Sequence, residues 1–350
     1  MAYWSAGGGT MEGMEQSIPD TVPGHLPAAE ARGSWDPRGP YSLSGTLAVL
    51  QRGSADPCVQ VGRYEAWLCF STTEGPVTLL LQRKGLQAGA GGASPVFISA
   101  WGPGAGAAVA GAPRLLGAGD DWSGFDERGF SASLPPLVTE ARRRHPGLRL
   151  PSTGRMFDAL LIAVLEQRVT TIEARFAWRY LAMNFGERPP GPVPQGMRLP
   201  PTPAAIRAVT PWQWHAARVD AQRSSSAVRA AAVAPALERW GSRPLGGLDP
   251  RNGIGVDAAL ASLPGIGLWT IAETLQRTHG SPDHVSVGDY HLAAFVGQAL
   301  TGRRVDDARM LELLEPWSGH RQRVVRLLGL SGVKKQAFGP RLAPMDHRHR

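Results

Sequence analysis

The stretch LPGIGLWTIAETLQRTHGSPDHVSVGDY, residues 263–290, decides how the rest of the chain is read. It opens on Leu263-Pro264-Gly265-Ile266-Gly267. Proline has no place inside a helix, and glycine reaches backbone angles that other residues avoid. Apolar residues at helical spacing lie on both sides, AALASL before and LWTIAETLQR after, so the five residues predict a tight hairpin between two helices. The amides of Gly265 and Gly267 then open the second helix with no partner inside the protein. A helix start of this kind holds anions, and a nucleic-acid phosphate fits it. Beyond that helix comes Asp289, the lone acid of VSVGDYHL. Asp is also a favoured helix cap, and both roles stay open for it.

Working outward, the spacing predicts a helical region over 131–335. Its helices are expected at 135–145, 154–168, 170–185, 202–209, 211–217, 221–240, 255–263, 266–278, 289–300, 305–314 and 318–330. The segment MFDALLIAVLEQRV is apolar nearly all round, as a buried central helix is. The Pro-rich 187–201 is expected as an exposed loop or a connection between lobes. Two helical lobes flanking the hairpin would leave a cleft with Asp289 at its edge.

Residues 39–130 carry a different signal. YSLSGTLAVL, YEAWLCFS, PVTLLLQR and SPVFISAW read as short strands of a small antiparallel sheet, covered by a helix in GPGAGAAVAGAPRLLG. Residues 1–38 are rich in Gly, Pro and Ser without periodicity and are expected to be disordered, and 336–350 form a basic tail. The fold class is therefore α+β: a β-rich N-terminal domain followed by a two-lobed helical domain.

Net charge is +8, carried overwhelmingly by Arg, which favours a polyanionic partner and suits forked phosphate contacts. Cys58 and Cys69 are too few for a four-thiolate cluster, and His279, His284 and His291 form no metal set, so no metal centre is expected. There is no apolar run of membrane-spanning length, and MAYWSAGGGTMEG lacks the basic start and apolar core of a secretory signal. A cytoplasmic, nucleoid-associated protein follows, expected as a monomer.

The hairpin with Trp269 and Asp289 in register resembles the helix–hairpin–helix DNA glycosylase superfamily, and within it the alkylpurine branch of DNA-3-methyladenine glycosylase II type. Weaker similarity runs through 156–170, 201–220 and 315–323, and a faint match covers roughly 43–125. The resemblance implies a monofunctional glycosylase acting in base excision repair on double-stranded DNA that contains damaged bases. It would evert an alkylated purine nucleotide and hydrolyse the N-glycosidic bond. Asp289 would stabilise the oxocarbenium-like sugar or steer a water to it. One acid suffices when the leaving base is already cationic. Members that also cut the strand use a Lys two residues after the hairpin to form a Schiff base. Here that position holds Trp269, which instead can stack on the everted base or pack in the core. No cofactor is required, although relatives hold a monovalent cation on hairpin carbonyls, here those of Leu263 or Ile266.

Departures from the branch bear on substrate range. Glu273 stands where a second pocket aromatic is usual, and is read either as a pocket acid facing the base or as a surface acid. Another pocket aromatic falls near Arg326. In Glu166-Gln167-Arg168-Val169, Arg168 occupies the place of an apolar wedge; it can stack on bases, hold a phosphate, or simply end a helix. Backbone contacts are assigned to Gly265, Gly267 and Thr270, with Arg321 and Arg323 as further phosphate ligands or plain surface residues. Two other readings remain: a non-catalytic DNA-binding protein of the same fold, and a glycosylase for another damaged purine.

Overall fold

The computed structural model describes residues 27–83 and 94–333. Five antiparallel strands form one sheet in the order β1-β5-β4-β3-β2. They are β1 (Ala31–Trp35), β2 (Val59–Val61), β3 (Glu65–Thr72), β4 (Gly75–Arg83) and β5 (Val96–Trp101). Both faces are covered, which is why β3 and β4 are almost continuously apolar. Leu68, Phe70, Leu79, Leu81 and Ile98 face the main core, with the helix Ala105–Leu115 packed against the sheet. Trp67, Cys69, Leu80 and Trp101 face the other way, the two indoles stacked at 6.2 Å.

The Pro-rich segment closes that second face. Met197 and Leu199 are buried in it, and Thr78 Oγ1 donates to the Pro190 carbonyl at 2.5 Å. The segment is thus a loop, as its composition predicts, exposed at Glu187, Arg188, Gly191, Gln195 and Gly196, that also covers the sheet.

Two expectations are corrected. Tyr41–Leu50 was expected as a strand but forms the helix Leu43–Leu47 and a 3₁₀ turn, Ala48–Leu50. Leu43 and Leu47 fit helical spacing as well as alternation, Leu50 fits the helical spacing alone, and all three are buried. Ser42 settles the choice by accepting the Gly45 amide at 3.0 Å as an N-cap. Residues 31–35, expected within the disordered stretch, are the edge strand β1, paired from Ala31↔Ala100 to Trp35↔Val96. The partner strand is remote in sequence, and no local pattern announces it. The expectations for residues 1–26 and for the tail lie outside the described residues.

The helices follow the predicted periodicity closely. The one division is at Val233, where the 221–240 expectation becomes Ala221–Ala232 and Ala234–Gly241. Pro235 has no N–H to continue the first helix and is at home at the start of the second. The central helix Met156–Leu165 packs against Ala221–Ala232, Ala234–Gly241 and Leu268–Thr278, and it shares one apolar cluster with the sheet. A second cluster joins Trp122, Phe125 and Val138 to Leu292, Phe295, Val324 and Leu327. The border expected at 130/131 falls inside this second cluster. No helix among the described residues is long and apolar enough to cross a membrane.

Candidate active site

The hairpin joins the helices Val256–Ala261 and Leu268–Thr278. Gly265 has φ +90°, and a Cβ there would lie 2.3 Å from Ser226 Oγ, so glycine is demanded twice over. Gly267 is different. Its φ of −104° and ψ of −179° are ordinary extended backbone, and a Cβ would meet open space. Of the two, only Gly265 needs the conformational freedom of glycine. What Gly267 contributes is an exposed helix start without a side-chain cap, so the first-turn amides remain for an outside anion.

The loop is pinned from beneath. Gln167 Nε2 donates to the Gly265 carbonyl and to Thr270 Oγ1, both at 2.9 Å. Arg229 Nη2 donates to the Pro264 carbonyl at 3.2 Å and to Ser226 Oγ at 3.1 Å. The Leu263 carbonyl accepts the Ile266 amide at 3.1 Å. Gly265→Ala should lower stability by about 1–3 kcal/mol through the strained φ and the Ser226 contact. Gly267→Ala should leave the melting temperature nearly unchanged; equal losses in thermal melts of the two variants would refute this distinction.

Asp289 lies at the entry to the helix Leu292–Thr301. Its Oδ1 accepts the amides of His291 at 2.8 Å and Leu292 at 3.0 Å, so the carboxylate holds amides at the helix entry, although the N-cap position itself is His291. Burial pushes the carboxyl pKa up, and these two amides pull it down. Asp289 also lines a cavity of about 600 Å³ at the junction of the two lobes. The cavity wall is built from residues 166–170 after the central helix, Asp220 and Arg223, the hairpin residues Gly265 and Gly267–Thr270, and residues 287–290. Trp269 is half-buried in this wall, and Arg168, Leu268 and Tyr290 are exposed on it. Arg168 adopts φ +53°, unusual outside glycine, in the turn that leaves the central helix. It has no hydrogen bond or ion pair among the described residues.

This geometry has parallels among solved structures. The chain is similar to the 3-methyladenine DNA glycosylase of Archaeoglobus fulgidus, with TM-score 0.65 and 12% identity, over 85% of this chain and 97% of that one. It is also similar to the 8-oxoguanine glycosylase/lyase of Clostridium acetobutylicum in complex with double-stranded DNA. There the TM-score is 0.58 and the identity 11%, over 87% and 96% of the two chains. The chain has the helix–hairpin–helix DNA glycosylase fold. No family model and no curated protein matches its sequence.

Within the glycosylase fold, several expected site residues are placed elsewhere. Thr270 reaches the cavity wall but is only 2% exposed, and its hydroxyl is held by Gln167, so it braces the hairpin instead of meeting phosphate. Glu273 is not in the cavity. The cavity stops at the first turn of Leu268–Thr278, and the following turns are buried. There Glu273 Oε2 contacts Arg277 Nη1 at 2.8 Å, while Oε1 accepts Ser286 Oγ at 2.5 Å. Ser286 in turn accepts the Asp289 amide through its carbonyl at 3.2 Å, so Glu273 braces the loop that carries Asp289.

Arg323 is buried between Asp120, His320 and the Trp122 ring and cannot reach DNA. Arg321 is clamped to Asp283, with Nε 2.8 Å from Oδ1, and stands outside the cavity wall. Arg326 donates to the Gly45 carbonyl at 2.6 Å, tying the last long helix to the N-terminal helix. Gln167, Leu268 and Tyr290 were not singled out from sequence. Gln167 carried the only signal, its place in the turn beside Arg168. The exposure of Leu268 and Tyr290 is visible only in three dimensions.

Proposed function

We propose that the protein is a monofunctional DNA glycosylase that removes alkylated purines from double-stranded DNA in base excision repair. The observation that carries this reading is the shared cavity: Asp289 and Trp269 line one space, and the uncapped hairpin helix opens beside it. The hairpin amides take a phosphate of the damaged strand, and the everted nucleotide enters between the lobes. Trp269 stacks on the electron-poor base. Asp289 stabilises positive charge at C1′ as the base departs and directs water to that carbon. An indole in place of the lyase nucleophile leaves an abasic site as the product. Arg168, exposed in the cavity wall, fills the gap left in the base stack or holds a flanking phosphate.

Release of free 3-methyladenine or 7-methylguanine from methylated duplex DNA tests the reading. A second lesion class belongs in the same panel, because one similar structure is that of an 8-oxoguanine glycosylase/lyase. Excision of 8-oxoguanine but not of alkylpurines would replace the substrate while keeping the reaction. Retention of all lesions, together with DNA binding, would make the protein a non-catalytic binder.

A further inference from the structure

Asp289 is the last residue of a tight turn. Its amide donates to the Ser286 carbonyl at 3.2 Å, across Val287 and Gly288. Gly288 has φ +88° and Val287 is not at positive φ, which makes this a type II turn. A Cβ on Gly288 would meet open space, so glycine serves the backbone angle alone. Val287, Gly288 and Asp289 all line the cavity. A turn of this type bonds its first residue to its fourth and leaves the amide of its third without a partner inside the turn. Here the Gly288 amide donates to Asp307 Oδ2 at 3.1 Å.

Asp307 begins the helix Asp307–Leu314, whose Met310 and Leu314 are buried in the second apolar cluster. It does not cap that helix. Asp306 does, accepting the Arg309 amide at 2.9 Å. Asp307 Oδ1 has no hydrogen-bond partner among the described residues, so what the carboxylate holds there is the turn. From the other side Ser286 Oγ donates to Glu273 and accepts Gln276 Nε2 at 3.0 Å. The turn is thus clamped between a helix of the first cluster and a helix of the second.

Type I and type II turns differ by a flip of the middle peptide. The flip would turn the Gly288 N–H away from Asp307 and the Val287 carbonyl toward it. An ionised carboxylate only accepts, so it holds the N–H and repels the carbonyl.

We infer that Asp307 is a positioning residue for the reaction: by holding the Gly288 amide it fixes the turn that delivers Asp289 to the cavity wall. This rests on the reading of Asp289 as the acid that faces C1′.

The test is single-turnover release of 7-methylguanine from methylated duplex DNA by the full chain and its variants. Asp307→Ala should slow release about 10–100-fold, the cost of misplacing a reacting group by about 1 Å. Duplex affinity should stay unchanged, because the hairpin amides are untouched. Asp307→Asn keeps an acceptor oxygen for Gly288 and should restore release to within about threefold of wild type. Asp306→Ala removes the cap of the same helix and should lower the melting temperature without slowing release. Should Asp307→Ala fail to fold, Asp307→Glu keeps the charge, moves the acceptor by one methylene and should slow release likewise. Wild-type release in the folded Ala or Glu variant overturns the inference. So does a loss in Asp307→Asn or Asp306→Ala equal to that in Asp307→Ala. Amide hydrogen exchange of the free protein reads the turn without any excision. Exchange over 285–289 should quicken in Asp307→Ala and stay at the wild-type rate in Asp306→Ala. A wild type that releases no base sinks the glycosylase reading; quickened exchange would then still support Asp307 as the anchor of the turn, and unchanged exchange would overturn it.

Discussion

Asp289→Asn should slow base release by about 10²–10³-fold, the loss expected when a preorganised group facing developing charge is neutralised. The substitution isolates charge from architecture. The Asn carbonyl oxygen can still accept the amides of His291 and Leu292, so the entry to the helix Leu292–Thr301 remains capped. Only the negative charge is removed. Its loss at a helix start should change stability by about 1 kcal/mol or less. Affinity for duplex DNA should be retained, because the hairpin amides are untouched. Single-turnover release of 7-methylguanine, read beside a DNA titration and a thermal melt, separates the three quantities. Release at the wild-type rate would remove Asp289 from the chemistry.

The second large effect is on stability. Glu273→Ala should destabilise the protein by about 3–5 kcal/mol, because it leaves Arg277 buried without its carboxylate. Arg277 is 3% exposed and Glu273 4%, and Arg277 Nη1 also donates to the Glu273 carbonyl at 2.7 Å. Burial opposes the charge on Glu273, while the Arg277 guanidinium and the Ser286 hydroxyl favour it, and the carboxyl lies below the ordinary glutamate range. The sign of the pH dependence follows. A depressed carboxyl contributes its stabilisation fully above the unfolded value, about 4.3, and loses it as pH falls through the lower folded value. The stability gap between wild type and Glu273→Gln should therefore be widest near neutrality and narrow on acidification below about pH 4. Denaturant unfolding at several pH values measures it. A gap that widens toward acid would contradict the ion pair. If Glu273 instead met the substrate, its removal would impair excision and spare stability.

These two carboxylates show where sequence and structure divide the work. Both stand in the stretch that first marks the chain; Asp289 is read there as a catalytic acid or a helix cap, and Glu273 as a pocket acid or a surface acid. Asp289 follows a glycine at a helix start, a local signal that survives folding, and the loop delivers it to the cavity wall. Glu273 sits four residues after Trp269, so helical spacing placed it beside the indole. The cavity closes after the first turn, a boundary set by packing against the central helix and invisible in the spacing.

By itself, the chain's sequence determined what depends on neighbours: helix positions from apolar periodicity and proline breaks, and the hairpin from Pro264 and Gly265; the pairing of Trp269 with Asp289 rested on the family resemblance, and only folding sets the two in one cavity wall. Tertiary structure alone decided what depends on remote partners. Arg323 meets Asp120 and Arg321 meets Asp283 across long stretches of chain, turning two expected phosphate ligands into internal ties. The strand Ala31–Trp35 exists because Val96–Trp101 offers it an edge. The physical reason is that a charged or β-forming residue takes its role from the group it meets. Folding, not local pattern, chooses that group.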